Sequence, residues 1–187
     1  MKKALIPILF AFLPFLTGCP GKVSTPQPKP DTLPPITQTG ANTLGCLING
    51  KAWLPTYGSS YPVTMEHNMG LFSLGTHRQI YNVANQLIVN NGFGWSIYPV
   101  RDTGLYFVKN GYSAIGAGTI LEAGFIDDLQ KKSYVSNDAD SLKNWIHVTR
   151  WDTVKFVASG NFNFFFTSPD HSDTIKITNG RFDYKFN

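Results

Sequence analysis

Residues 160–167 read "GNFNFFFT" and set Phe162, Phe164 and Phe166 on one face of an extended chain. The stretch is one of many. From about residue 41 the chain consists of short alternating runs broken by Gly, Asn, Pro and Asp, with no sustained helical periodicity between them. That pattern predicts an all-β fold, a single antiparallel β-sandwich or lipocalin-like barrel of about ten strands. Strands are expected at 71–77, 85–90, 93–98, 104–109, 132–136, 144–150 and 160–167. In 93–98, Phe93, Trp95 and Ile97 share a face. The stretch "NDADSLK", 137–143, has room for a single helical turn capped by Asp140 or Ser141.

Two Asn-Gly dipeptides mark expected hairpins, because both central residues of a type I′ turn need positive φ. "GCLINGKAWL" places Asn49-Gly50 between two short runs, and "DTIKITNGRFDYKF" places Asn179-Gly180 the same way. With a two-residue loop the second would set Ile177 opposite Phe182, Ile175 opposite Tyr184 and Lys176 opposite Asp183.

The N-terminus has another character. Met1-Lys2-Lys3 is followed by "ALIPILFAFLPFL", thirteen residues without a charge. That is shorter than the roughly 20 residues a membrane-spanning helix needs, and fits the apolar region of a secretory signal peptide. Leu16-Thr17-Gly18-Cys19 resembles the lipobox of bacterial lipoproteins in all four positions. The resemblance implies cleavage before Cys19 and a diacylglyceryl thioether on its sulfur, and two or three acyl chains anchor stably. Residues 20–36 hold six prolines and read as an extended spacer. The organisation expected is a signal peptide over 1–18, a lipidated Cys19 with a Pro-rich linker over 19–40, and a β domain over 41–187. Cys46 is then without a disulfide partner and reads as a small buried hydrophobe.

The net charge of +4 does not mark a nucleic-acid binder. From residue 41 onward, 12 Lys and Arg meet 11 Asp and Glu, so the basic excess belongs to the leader and spacer.

Catalytic and metal patterns are near misses. "GLFSLG" puts Gly70 one position too early for a nucleophile elbow around Ser73. "GAGTIL", 116–121, lacks the third glycine of a dinucleotide loop. His67, His77, His147 and His171 lie far apart, without zinc-site spacing. The oxygen-rich stretches around Asp138 and Asp140 and at "SPDHSD", 168–173, have the residues that turns use as well as those calcium uses. No catalytic residue, metal ligand or cofactor is therefore assigned. The candidate ligand-binding residues are Trp145, His147 and Trp151. In "NWIHVTRW" a regular strand puts them on the face opposite Ile146 and Val148, as a platform for a sugar ring; burial of both faces, or a break of register before Trp151, is the competing reading. Segments 55–62 and 110–130, rich in Gly, Ser and Tyr, are expected to be binding loops.

Three stretches carry a wider resemblance. "TGANTLGCLINGKAWLP", "VASGNFNFFFTSP" and "IKITNGRFDYKF" bracket the domain. With the lipobox and spacer they resemble a group of uncharacterised bacterial lipoproteins with one β-rich domain. Such proteins show an N-G-x-x-W hairpin, here Asn49, Gly50 and Trp53. They also show a G-x-F-x-F strand, here Gly160, Phe162 and Phe164, and a terminal G-x-F-D, here Gly180, Phe182 and Asp183. The resemblance implies a single domain attached to the outer membrane and brings no activity. The stretch after Cys19 lacks the acidic cluster that resembles a surface-export signal, which points to the periplasmic face, with surface exposure the alternative. The function expected is a non-enzymatic binding or structural module for a glycan or other envelope component. A lipocalin-like carrier of a small apolar molecule is the alternative, and a hydrolase the third.

Overall fold

The computed structural model describes residues 32–56, 63–107, 119–136 and 142–186. These hold eleven strands: β1 (Thr43–Ile48), β2 (Lys51–Trp53), β3 (Val63–Asn68), β4 (Leu71–Tyr81), β5 (Leu87–Tyr98), β6 (Gly104–Phe107), β7 (Thr119–Asp127), β8 (Lys132–Ser136), β9 (Trp145–Asp152), β10 (Val157–Thr167) and β11 (Thr174–Lys185). All pair antiparallel, in the order β2-β1-β11-β10-β8-β7-β5-β4-β3, with β9 and β6 branching from β10.

The branch explains the shape. One edge of β10 pairs along its length with β11. The other edge is divided: Val157–Asn163 pair with β9, and Phe166 and Thr167 pair with β8. Strand β10 thus belongs to two layers, β2-β1-β11-β10-β9-β6 and β8-β7-β5-β4-β3, which fold over one another. Among the described residues no ladder joins β2 to β3. A shorter bridge lies nearby. Just past β2, the Thr56 amide donates to the His77 carbonyl of β4, and its hydroxyl accepts from the Gln79 amide and donates to the Gln79 carbonyl.

Aromatic rings fill the space between the layers. Phe162, Phe164 and Phe166 are fully buried, as their alternation predicts. Across the interior Phe93 meets Phe162 at 5.6 Å and Trp95 meets Phe182 at 5.5 Å between ring centres. Trp53 packs on Phe93 and donates its indole N–H to Asn91. Edge-to-face and offset contacts of this kind add to the burial of large apolar area. Cys46 is buried in the same core, and burial pushes its thiol up, beyond the ordinary range.

Several expectations are corrected. The Asn49-Gly50 hairpin forms, with both residues at positive φ and Cys46 paired to Trp53. Asn179-Gly180 makes no hairpin. Residues 174–185 are one strand, and Asn179, at φ 52°, sits in a bulge where Thr178 and Asn179 oppose the single residue Asn163. Ile177 and Phe182 do not face each other; Ile177 pairs with Ile48 and Phe164, and Phe182 with Leu44 and Gly160. Partners on both sides outweigh the local turn preference. Gly180 serves packing instead: a Cβ there would lie 2.3 Å from the Phe162 ring. Runs 85–90 and 93–98 merge into β5. Part of the expected loop 110–130 is strand β7, while 108–118 and 57–62 lie outside the described residues. Leu142 and Lys143 take a 3₁₀ turn, and the caps Asp140 and Ser141 lie outside the described residues.

The expected boundary at residue 41 also moves. Residues 34–41 form a strap over the outer face of β1, β10 and β11. The Pro34 carbonyl accepts from Arg181 at 3.0 Å, and the Gln38 carbonyl accepts from Arg150. The strap's fastening point is Asp183, 1% exposed. Its carboxylate accepts from the Thr37 hydroxyl (2.6 Å), the amides of Thr39 (3.0 Å), Gly40 (2.7 Å) and Ala41 (3.1 Å), and the Ser159 hydroxyl (2.7 Å). Burial pushes this carboxyl up, but the bonds from Thr37, Ser159, Thr39 and Gly40 outweigh it and hold it far below the usual carboxylate range.

Removing that acceptor leaves several donors without their partner, the buried Ser159 hydroxyl among them. Asp183→Ala is expected to cost about 3–5 kcal/mol in chemical denaturation. The pH dependence follows from the depressed value. The contribution is complete above about pH 4, the unfolded carboxyl's range, and is lost as pH falls toward the folded value. Denaturation midpoints measured below about pH 4 should therefore fall less steeply in Asp183→Asn than in the wild type.

Candidate functional site

The expected aromatic platform is only partly assembled. Trp145 and His147 lie on the outer face of β9, with Ile146 and Val148 buried beneath. Trp151 is on the opposite side. A bulge at Thr149 lets Ser159 pair with Arg150 while Gly160 pairs with Val148, and this one-residue shift flips the faces. Trp151 turns inward, stacks on Phe186 at 4.8 Å and meets Phe72 edge-on at 4.9 Å. It is partly buried and packs against the core, and the pair needed to sandwich or floor a sugar ring does not exist on this strand.

The titratable candidates are dispersed. His67 sits edge-on to Trp151, and His147 lies on the outer face of β9. Among the described residues no group of three or more His, Cys, Asp or Glu side chains could hold a metal ion. The 168–173 loop is a turn. Asp170 accepts from the Ser168 and Ser172 hydroxyls, which hold its carboxyl down at about 2. Asp173 accepts from Tyr134 at 2.8 Å and Lys132 at 3.1 Å, and these bonds lower its carboxyl too. Asp138 and Asp140 lie outside the described residues.

A concavity with converging polar groups lies elsewhere, on the outer face of β4, β5, β7 and β8. Strand register builds it in rows. Gly75, Gly94 and Gly124 are cross-strand neighbours. With strands about 4.8 Å apart, they make a strip of bare backbone about 10 Å long. Two residues along the strands on one side lie Ser73, Ser96 and Glu122, again in register. On the other side lie His77, Gly92, Ile126 and Ser133. Side chains standing on both sides of a bare strip make a groove, with a volume of ≈ 700 Å³.

Its walls are hydrogen-bonded in advance. The Ser73 and Ser96 hydroxyls are 3.0 Å apart, and Ser96 reaches Glu122 at 3.5 Å. Across the strip His77 Nε2 pairs with Asn90 Oδ1, which also accepts from Gln79 at 3.3 Å. The walls thus present hydroxyl, carboxylate and imidazole groups. Sequence reading overlooked it, although a signal was present. In "GFGWS" the aromatic face of β5 is Phe93 and Trp95, and the complementary face is Gly92, Gly94 and Ser96, small residues in alternation. That face gains meaning only when Gly75 and Gly124 come alongside.

Compared with protein-family models, curated proteins and solved structures, the chain finds no match.

The two tryptophans of β9 should separate in a stability assay. Trp151→Ala is expected to lower stability by about 2–4 kcal/mol, as core truncations do. Trp145→Ala should cost about 1 kcal/mol or less. Equal losses would contradict the bulge at Thr149.

Proposed function

We propose that this chain is a bacterial envelope lipoprotein whose mature form begins at Cys19, and that its domain is a non-enzymatic binding module seating a glycan in the groove over Gly75, Gly94 and Gly124. The anchor reading rests on the N-terminal residues: a short basic start, an apolar run too short to span, and the Leu-Thr-Gly-Cys tetrad. Its setting is the outer membrane, with the domain in the periplasm.

The binding reading is carried by one observation, the groove itself. Its volume of ≈ 700 Å³ suits a small ligand, and small-molecule sites generally run about 300–1,000 Å³. Its floor is bare backbone between two walls. Hydroxyls, a carboxylate and an imidazole on those walls match the dense donors and acceptors of a sugar. The contacts favour holding over turnover, because Ser73 and Ser96 bond to each other and His77 is engaged with Asn90. The interior offers a carrier less, since stacked phenylalanines occupy the space between the layers.

Titration with soluble envelope saccharides, followed by amide chemical shifts, should move resonances of residues 73–77, 90–96 and 122–126. Glu122→Ala is expected to weaken binding about 10-fold, the usual loss for one charge-assisted hydrogen bond. Saturation without shifts in these strands would remove the groove from the reading, and decay of the saccharide during titration would turn it into a hydrolase. The anchor is tested separately. Cys19→Ser should leave an uncleaved precursor that takes up no labelled fatty acid, and normal processing of that variant would refute it.

A further inference from the structure

The opposite outer face, on β6, β9, β10 and β11, carries a second patch. Pairing sets Leu105 beside His147, and Phe107 and Asn163 on either side of Trp145. Phe165 lies beside Lys176. Leu105 is 52% exposed, and Phe107, Trp145 and Phe165 are half-buried. The ammonium groups of Lys143 and Lys176 stand 5.4 and 5.9 Å from the centre of the Phe165 ring. Arg181 borders the patch next to Asn161. Among the described residues of this face, Asp183 is committed to the strap and Asp152 to Arg150 at 2.8 Å. The surface is amphipathic, with flat rings and a leucine at the centre and cations at the margin. Trp and neighbouring Lys are the side chains that settle at the boundary of a bilayer, with ring among headgroups and ammonium toward phosphate.

The strap indicates what covers this surface. Residues 34–41 cross the other half of the same face, held by Arg150, Arg181 and Asp183. The described chain therefore begins on this side, at Thr32. Thr32 is 13 positions after Cys19, a reach of about 40 Å when extended. A tether fastened on one face and no longer than the domain's own size biases that face toward the bilayer.

We propose that the face formed by Leu105, Phe107, Trp145, Phe165, Lys143 and Lys176 docks on the anionic lipid surface in which Cys19 is anchored, so that the glycine-floored groove points away from the membrane. The orientation rests on the anchor reading above; the docking itself rests on the face.

The test uses the full-length processed protein reconstituted in phosphatidylethanolamine–phosphatidylglycerol vesicles containing a brominated lipid. Its intact mass is read on the same sample. Emission from Trp145, isolated as the difference from Trp145→Phe, is expected to be quenched. Lys143→Gln with Lys176→Gln should weaken the docked state roughly 25-fold, about fivefold per lysine, and raised salt should act in the same direction. Hydrogen exchange should slow in 104–107 and 145–147 relative to the same protein in neutral detergent, with β4 and β5 unchanged. Acyl mass with unquenched Trp145 overturns the docking alone, and quenching without acyl mass overturns the anchor alone. Unquenched Trp145 that responds instead to soluble saccharide would put a sugar on this face and overturn the docking.

Discussion

The divided pairing of β10 is the constraint on which the rest depends. Along one edge β10 is held by β11 throughout; along the other it is given first to β9 and then to β8. A strand shared in this way obliges two layers to diverge from it and close over its apolar side. That side carries Phe162, Phe164 and Phe166, which meet Phe93 and the neighbouring rings as the layers close. Side-chain volume and backbone pairing therefore demand the same geometry, the agreement between levels that a foldable sequence needs.

The two outer faces that result are unlike each other. On β4, β5 and β7 three glycines in register leave a bare strip between rows of side chains. On β6, β9 and β10 they are large, with Leu105, Phe107, Trp145 and Phe165 carrying lysines at their margin. The strap fastened by Asp183 lies on this second face alone. A ligand groove on one side and a tethered, amphipathic face on the other give the domain a direction. That asymmetry joins the reading of the groove to the reading of the anchor.

Much of the fold was legible because alternation is a local property. The inward sets Phe93-Trp95-Ile97 and Phe162-Phe164-Phe166 could be assigned from spacing alone, and all six are buried. The first Asn-Gly hairpin was legible too, because β1 and β2 lie at the sheet's end and nothing competes with the turn. The second was misleading. Asn179 has nearly the same φ as Asn49, 52° against 49°, yet β11 lies between β1 and β10 and stays extended through it. Trp151 was misplaced for a similar reason, since a single extra residue at Thr149 reverses every later face and leaves no mark in composition.

The sequence by itself determined the all-β class, the apolar faces of the long strands, the character of the N-terminal residues and the near-neutral charge of the domain. These depend on periodicity, side-chain chemistry and counting, which are properties of neighbours along the chain. Tertiary structure decided the rest: which strand β10 shares with which layer, where bulges reverse a face, that Asp183 fastens residues 37–41, and that Gly75, Gly94 and Gly124 form one floor. Each of these joins residues far apart in sequence, and a glycine or an aspartate carries no local sign of the partner it will meet. Pairing across strands alone creates the groove, because its floor consists of side chains that three separate segments each leave out.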